Sequence, residues 1–181
     1  MSVKILITGP PRSGKSTLIS KLINFCSQKE HNIYGFITPE VKKDDRRLGF
    51  DVQELDTKKR YKLARVGSYT TQFKLGKYHV FIEEFEKIIS HLDSLDFKPV
   101  DIIFLDEIGK MELYSEKFQN FIRRIFQTNI NIVATIGQKL HHPLKKFVLS
   151  NPNIKFFTVT RENQEFIYQN IITALKQANK I

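Results

Sequence analysis

The sequence predicts an α/β domain in which helices flank a mostly parallel sheet. Apolar runs of strand length alternate with helix-spaced segments along most of the 181 residues. Residues 101–107 have an unbroken apolar centre, which is typical of a strand buried on both faces of a parallel sheet. A hydrophobic content of 41% suits one sizeable core. We therefore expect residues 1–181 to form a single domain with right-handed crossovers.

The first strand and helix enclose a glycine-rich loop. Ile5, Leu6 and Ile7 predict a short buried strand, and apolar residues at 18, 19, 22, 23 and 26 have helical spacing. Residues 9–16 read Gly-Pro-Pro-Arg-Ser-Gly-Lys-Ser, which matches the phosphate-binding pattern G-x-x-x-x-G-K-[ST]. The strand and helix around it are the context that this motif needs. We predict that the nucleotide is bound by Gly9, Pro10, Pro11, Arg12, Ser13, Gly14, Lys15, Ser16 and Thr17.

The motif gives individual residues a chemical role. Gly9 and Gly14 let the backbone come close to a phosphate, and the amides of residues 10–16 can converge on its oxygens at a helix N-terminus. Lys15 would reach the β- and γ-phosphates as a catalytic cation, and the Ser16 hydroxyl would ligate Mg²⁺. A glycine-rich turn that binds nothing is the alternative, and the flanking strand and helix argue against it.

An antiparallel insertion is predicted at about residues 33–66. Strands are expected at 33–38, 48–55 and 60–66, with polar turns at 42–47 and 56–59. Pro39 ends the first of these strands or confines it to an edge. Residues 67–78 contain Gly67 and Gly76 and are predicted to form a loop long enough to cover the site.

The alternation of strands and helices resumes after this insertion. We expect a helix at 81–92, a strand at 101–107, a helix capped by Ser115, and a strand at 131–135. A short helix near 143–149, a strand at 155–159 and a helix from 162 to about 176 complete the chain. Gly9, Asp106, Thr135 and Thr160 fall at predicted strand ends. Ligands of parallel sheets bind beyond the carboxyl ends of the strands, so we expect these residues at one edge.

Asp106 and Glu107 end the most apolar strand. Asp106 would hold Mg²⁺ together with Ser16, directly or through water, because Mg²⁺ needs few protein ligands. Glu107 is not needed for the metal and would polarise a water for in-line attack on the γ-phosphate. This pair favours hydrolysis over binding alone. A solvent-exposed turn is the alternative interpretation.

Several stretches together resemble one family. They are the phosphate-binding loop, residues 35–42 with 47–52, and most specifically residues 105–112, which read Leu-Asp-Glu-Ile-Gly-Lys-Met-Glu. Residues 76–85 and 158–163 resemble family segments too. The family is that of the small P-loop nucleoside-triphosphatases first described from thermophiles, which includes the human cancer-related nucleoside-triphosphatase. The resemblance implies a RecA-like P-loop fold and slow, Mg²⁺-dependent hydrolysis of ATP, GTP and other nucleoside triphosphates to diphosphate and phosphate.

The sequence departs from this family at three positions. Family loops usually carry glycine in place of Arg12, and members often have arginine in place of Lys42 and Gln164. Lysine is a point charge that cannot reproduce the planar fork of arginine. If a family arginine stabilises transition-state charge, one of three other residues would have to supply it here: Arg47, Arg65 or Arg161.

The net charge of +10 leaves a second class of partner open. Solvated lysine explains such a charge, and so does a nucleic-acid-binding face in the basic region at 42–62. A nucleotide-gated RNA- or DNA-binding module is therefore one alternative function. A P-loop phosphotransferase acting on a nucleoside or a nucleic-acid end is another, although we find no arginine-rich lid helix.

Composition also bears on cellular location. No apolar run approaches the roughly 20 residues that a membrane span needs, and the start of the chain leads directly into the phosphate-binding loop. The single cysteine, Cys26, fits a reducing compartment. We therefore expect a cytoplasmic protein that does not enter a membrane. The sequence leaves the oligomeric state open, with a monomer as the default.

Overall fold

The computed structural model describes residues 2–29 and 31–179, and ten strands in that part of the chain form one sheet. The strands are β1 (Lys4–Thr8), β2 (Ile33–Ile37), β3 (Glu40–Lys43), β4 (Arg46–Glu54), β5 (Arg60–Val66), β6 (Phe73–Leu75), β7 (Tyr78–Val80), β8 (Ile102–Ile108), β9 (Asn131–Ile136) and β10 (Ile154–Thr158). The helices are α1 (Lys15–Gln28), α2 (Ile82–Ser94), α3 (Glu116–Phe126), α4 (Pro143–Leu149) and α5 (Gln164–Asn179), with a 3₁₀ helix over Glu112–Tyr114.

The parallel half of the sheet has the strand order β10-β1-β9-β8-β2. Successive side chains of β8 point to opposite faces of the sheet, so they pack in two different hydrophobic clusters. Ile103 and Leu105 pack in the cluster that α2, α3 and α4 cover, whereas Ile102 and Phe104 pack in the cluster under α1 and α5. Both faces of β8 are therefore buried, and the architecture is the α/β one predicted.

The antiparallel half of the sheet continues from β2 through β4, β5, β7 and β6, with β3 paired to β4. It spans residues 40–80 rather than 33–66. β2 itself is parallel to β8 and borders the antiparallel half only on its other edge. The predicted loop at 67–78 contains β6 and part of β7, because strands of three residues are too short to show an alternating pattern.

The helices begin close to where the sequence places them. The Ser115 hydroxyl accepts a hydrogen bond from the amide of Phe118 at 3.0 Å, which is the predicted cap of α3. α5 starts at Gln164, two residues later than expected, and β8 continues two residues past Asp106. Among the helices of the described residues, none has both the length and the apolar character needed to cross a membrane.

Candidate active site

The phosphate-binding loop connects β1 to α1 at the carboxyl edge of the sheet. Gly14 caps α1 with a φ of 95°, and the helix begins at Lys15. The Lys15 ammonium donates hydrogen bonds to the carbonyl oxygens of Gly9 at 3.0 Å and Pro10 at 3.1 Å. The first turn of α1 has no acidic residue, so its free amides and the positive end of its dipole face the loop without a competing carboxylate.

Neighbouring backbone and side chains leave no space beside two glycines of this loop. A Cβ at Gly9 would collide with the carbonyl oxygen of Val159, and one at Gly14 would collide with the side-chain amide of Gln164. Gln164 also donates a hydrogen bond to the carbonyl oxygen of Ser13 at 3.0 Å. The first residue of α5 therefore packs against the phosphate-binding loop, and glycine is required at positions 9 and 14, where Val159 and Gln164 lie closest to the loop.

Asp106 lies next to the loop and is only 5% exposed. Its Oδ1 accepts a hydrogen bond from the Thr135 hydroxyl at 2.6 Å, and Ser16 lies on the same pocket wall. Burial raises the pKa of Asp106, while the hydroxyl groups of Thr135 and Ser16 and the charge of Lys15 oppose that shift. A neighbouring hydroxyl and carboxylate are the oxygen donors that Mg²⁺ takes, so this pair fits the ion.

Two glutamates lie beside Asp106. A Cβ at Gly109 would stand 2.6 Å from Oε1 of Glu107 and 2.7 Å from Oε2 of Glu112, so both carboxyl groups border the same glycine. Burial, followed by repulsion from Glu107, raises the pKa of Glu112 to about 8. Burial and then the charge of Asp106 also raise the pKa of Glu107. The site thus holds a protonated glutamic acid next to the predicted base.

A pocket of about 380 Å³ opens between these carboxyl groups and the antiparallel half of the sheet. Ser16, Asp106 and Glu107 form its polar wall. The antiparallel strands supply much of the apolar wall, through Phe50 of β4, Leu63 of β5 and Leu75 of β6. The antiparallel half therefore covers the side of the pocket opposite Asp106 and Glu107.

Comparison with known proteins places this arrangement in a family. A family model described as NTPase matches residues 4–172. The chain is 36% identical over 174 residues to nucleoside-triphosphatase THEP1 of Thermotoga sp. (strain RQ2), covering 96% of each chain. It is 32% identical to the cancer-related nucleoside-triphosphatase homolog of Mus musculus, covering 98% of this chain and 99% of that protein.

The chain belongs to the NTPase family. Two solved structures agree. The crystal structure of THEP1 from Aquifex aeolicus matches with a TM-score of 0.81 and 32% identity, covering 96% of this chain and 99% of that chain. The solution structure of a human cancer-related nucleoside triphosphatase matches with a TM-score of 0.81 and 33% identity, covering 97% and 98%. The family and the fold class predicted from the sequence are confirmed.

The structure shows the contacts of Arg12, Lys42 and Gln164, the three residues that the sequence analysis expected to differ from the family. Arg12 is exposed and has a φ of 62°, a left-handed conformation that glycine adopts without strain. Lys42 forms an ion pair with Glu40 at 2.7 Å. Gln164 supports the loop through Ser13 rather than facing the pocket. An arginine in place of Gln164 would therefore meet the back of the phosphate-binding loop.

None of the three candidate arginines is among the described residues that line the pocket. Arg47 pairs with Glu40, and Arg65 donates to the carbonyl oxygen of Phe50 at 2.6 Å and pairs with Asp51. Arg161 is exposed. Of the cationic side chains that the structure describes, Lys110 and Lys139 line the pocket.

The structure adds residues that sequence reasoning left without a role. Glu112 is 4% exposed and lines the pocket, although the sequence used it only as part of a family stretch. Thr135 donates a hydrogen bond to Asp106 through its hydroxyl, whereas the sequence placed it only at a predicted strand end. Thr160 is exposed, and its amide binds the side chain of Asn163 at 2.8 Å. No local pattern in the sequence indicates that Glu112 is buried beside Glu107.

Proposed function

We propose that this protein hydrolyses nucleoside 5′-triphosphates, including ATP and GTP, to diphosphate and phosphate in an Mg²⁺-dependent reaction. One observation carries the proposal: α1 and β8 bring Lys15 and Ser16 against Asp106, with Glu107 beside them. Membership of the NTPase family supports the same reaction class. The single cysteine, Cys26, is buried and unpaired, in keeping with a cytoplasmic setting.

Residues 9–17 would bind the phosphates of the nucleotide. Lys15 exchanges its two carbonyl partners for β- and γ-phosphate oxygens, and the amides at the start of α1 donate to the same oxygens. Both contacts strengthen as negative charge develops on the leaving diphosphate, so they stabilise the transition state more than the bound substrate.

Ser16 and Asp106 would hold the Mg²⁺, which would supply positive charge to offset the negative charge that develops on the phosphate groups. Thr135 keeps the Asp106 carboxylate oriented through its 2.6 Å hydrogen bond. Burial makes this orientation matter, because a buried carboxylate without donors would take up a proton instead.

Glu107 would accept a proton from the attacking water. The water oxygen forms a bond to the γ-phosphorus while the bond to the β–γ bridging oxygen breaks, which releases diphosphate and phosphate. Glu112 remains protonated near neutral pH, since burial and Glu107 raise its pKa to about 8. Because Glu112 is then neutral, Asp106 is the negative neighbour that raises the pKa of Glu107, and Glu107 can still be ionised and act as the base.

Phosphate release from ATP and GTP with Mg²⁺ tests the proposal. Glu107→Gln should lower turnover by about 10²- to 10⁴-fold while nucleotide binding persists. Lys15→Ala should weaken both binding and turnover. Glu83→Gln is a matched control because Glu83 is an exposed glutamate of α2 outside this pocket. Hydrolysis by Glu107→Gln at the wild-type rate would show that Glu107 is not the base.

The size and lining of the pocket favour a phosphotransferase as a second candidate function. A water molecule occupies about 30 Å³, far less than the pocket of about 380 Å³ with its apolar side chains. An organic alcohol bound there could give its proton to Glu107 and accept the γ-phosphoryl group. Labelled ATP distinguishes the two reactions, since transfer places label on the acceptor and hydrolysis places it in inorganic phosphate.

Nucleic acid is a further partner to test. Three cations of the basic region at 42–62 are paired locally, because Lys42 and Arg47 pair with Glu40 and Arg60 pairs with Asp51. Binding of single-stranded RNA that falls steeply with added salt would support a nucleic-acid partner. Absence of binding at low salt would exclude it.

A further inference from the structure

Three titratable side chains meet on the edge of the molecule where the β4–β5 turn lies against α2. Glu54 is the last residue of β4, Asp56 lies in the turn, and His91 is in the last turn of α2. His91 Nε2 lies 3.0 Å from Asp56 Oδ2 and 3.8 Å from Glu54 Oε1. Glu54 is four residues beyond Phe50 of the nucleotide pocket, about 13 Å along the strand. This cluster is therefore separate from the proposed active site.

Glu54 has an unsatisfied oxygen directed into this cluster. Its side chain is 1% exposed, and its Oε2 accepts a hydrogen bond from the Thr57 hydroxyl. Within residues 2–29 and 31–179, Oε1 has no hydrogen-bond partner. Burial raises the pKa of Glu54, against the opposing hydrogen bond from Thr57 and the charge of His91. A buried carboxylate oxygen without a partner is costly, so a cation at this position would be stabilising.

We propose that Glu54, Asp56 and His91 bind a divalent transition-metal ion, with Zn²⁺ as the best match. One ligand atom from each residue lies within 4.8 Å of the other two. Ligand atoms around tetrahedral Zn²⁺ stand about 3.3 Å apart, between the 3.0 Å and 3.8 Å found here. Small side-chain rotations are enough to close the site, and water completes the coordination.

The donor set selects the type of ion. One imidazole nitrogen with two carboxylate oxygens suits Zn²⁺ and related transition metals, whereas Mg²⁺ and Ca²⁺ prefer oxygen ligands alone. His91 and Asp56 are 35% and 22% exposed, so an ion can enter from solvent. A plain ion pair of His91 with the two carboxylates is the competing interpretation, and within the described residues it leaves Oε1 of Glu54 without a hydrogen bond, 3.8 Å from His91 Nε2.

Bound metal would join two elements that the chain connects only at long range. His91 and Asp56 are 35 positions apart in sequence, and the ion would fix the end of α2 against the β4–β5 turn. Because β4 pairs with β2, and β2 with β8, the same sheet carries the metal cluster and the carboxylates of the nucleotide site.

Calorimetric titration of the full chain with ZnCl₂, after EDTA treatment and without nucleotide, tests the proposal. We expect one equivalent of Zn²⁺ to bind and saturating Zn²⁺ to raise the melting temperature by about 5 to 10 °C. Glu54→Gln and His91→Leu should each weaken binding by at least about tenfold. His141→Leu is the matched control, because His141 is exposed and outside the cluster, and it should bind as the wild type does.

Glu54→Gln keeps the shape of the side chain, so it separates metal binding from folding. Circular dichroism in EDTA should be the same for this variant and the wild type, and Co²⁺ added to each should give a visible absorption band only in the wild type. The proposal is wrong if the wild type binds no Zn²⁺. It is also wrong if both variants bind Zn²⁺ as tightly as the wild type.

Discussion

Replacing Gly109 with alanine tests whether the position of the Glu107 carboxylate limits turnover. The added Cβ would stand 2.6 Å from Oε1 of Glu107 and 2.7 Å from Oε2 of Glu112, where ordinary van der Waals contact begins at 3.4 Å. The carboxyl groups must therefore retreat by about 0.8 Å (3.4 − 2.6) and about 0.7 Å (3.4 − 2.7). Gly109 has no left-handed φ, so alanine adds bulk without backbone strain.

The expected loss is catalytic rather than structural. Displacing a catalytic group by about 1 Å costs on the order of 10²-fold in rate, or about 2.7 kcal/mol of transition-state stabilisation. The atoms that must yield are the ends of flexible side chains, so the free energy of unfolding should change by less than about 1 kcal/mol. KM for the nucleotide should stay near the wild-type value, because Lys15 and the phosphate-binding loop are untouched.

Steady-state phosphate release and chemical denaturation measure these two effects. Gly137→Ala is the control, because its added Cβ would meet Leu140 at 3.4 Å, an ordinary contact on the same pocket wall. A folded Gly109→Ala protein with the wild-type kcat would show that the position of Glu107 does not limit hydrolysis. An equal loss of kcat in Gly137→Ala would show that the pocket tolerates no added methyl group on this wall. The loss in Gly109→Ala would then not be caused by displacement of Glu107.

Three other substitutions test the buried polar groups. Lys4 is buried and donates hydrogen bonds to three carbonyl oxygens at the end of α3 and just beyond it. Lys4→Met should therefore lower the free energy of unfolding, measured by denaturant titration, by about 2 to 4 kcal/mol. Lys155 is exposed, so Lys155→Met should change this free energy by less than about 0.5 kcal/mol. Thr135→Val removes a donor to Asp106 and should raise the Mg²⁺ concentration for half-maximal activity about tenfold, with little change at saturating Mg²⁺. Folded Glu112 retains between pH 4.5 and about 8 a proton that the unfolded chain releases. The free energy of unfolding of the wild type should therefore fall as pH rises through this window, by up to about 1.4 kcal/mol per pH unit. Glu112→Gln should make the free energy of unfolding less dependent on pH. The same pH dependence in both proteins would show that burial does not raise the pKa of Glu112.

The parts of the site that lie in consecutive residues were predictable from the sequence. The phosphate-binding loop takes its shape from neighbouring residues and from the strand and helix on either side, and Asp106 with Glu107 follows an apolar run that is recognisable alone. Local signals also located Ser115 as a cap and the strand Arg60–Val66 with its observed bounds. Each of these features depends on contacts within a few positions of the chain.

The rest depends on contacts between distant segments. β6 and β7 have three residues each, so their pairing shows no period in the sequence. Glu112 is buried because the 3₁₀ helix after Gly109 turns its carboxyl group back toward Glu107, which no local pattern indicates. The pairing of Arg65 with Asp51 across two strands is likewise tertiary, and it removes a candidate that the sequence left open.

Asp101 and the carboxyl groups of the candidate active site differ in how their burial is compensated, and the contrast supports the assignment of the active site. Asp101 is 2% exposed, and its two oxygens accept hydrogen bonds from the Asn32 side chain at 3.1 Å and the Lys98 amide at 2.6 Å, so its burial is compensated by fixed donors that close a turn. Asp106, Glu107 and Glu112 instead crowd into one pocket, where burial raises the pKa of each and repulsion from a neighbouring carboxylate raises the pKa of Glu107 and Glu112 further. Stability alone gives no reason for such crowding, because apolar residues of similar size would avoid both costs. A nucleotide held by Lys15 and Ser16 would use Asp106 to bind the cation and Glu107 to accept a proton from the attacking water, and we infer that hydrolysis of the bound nucleotide is what this unfavourable arrangement serves.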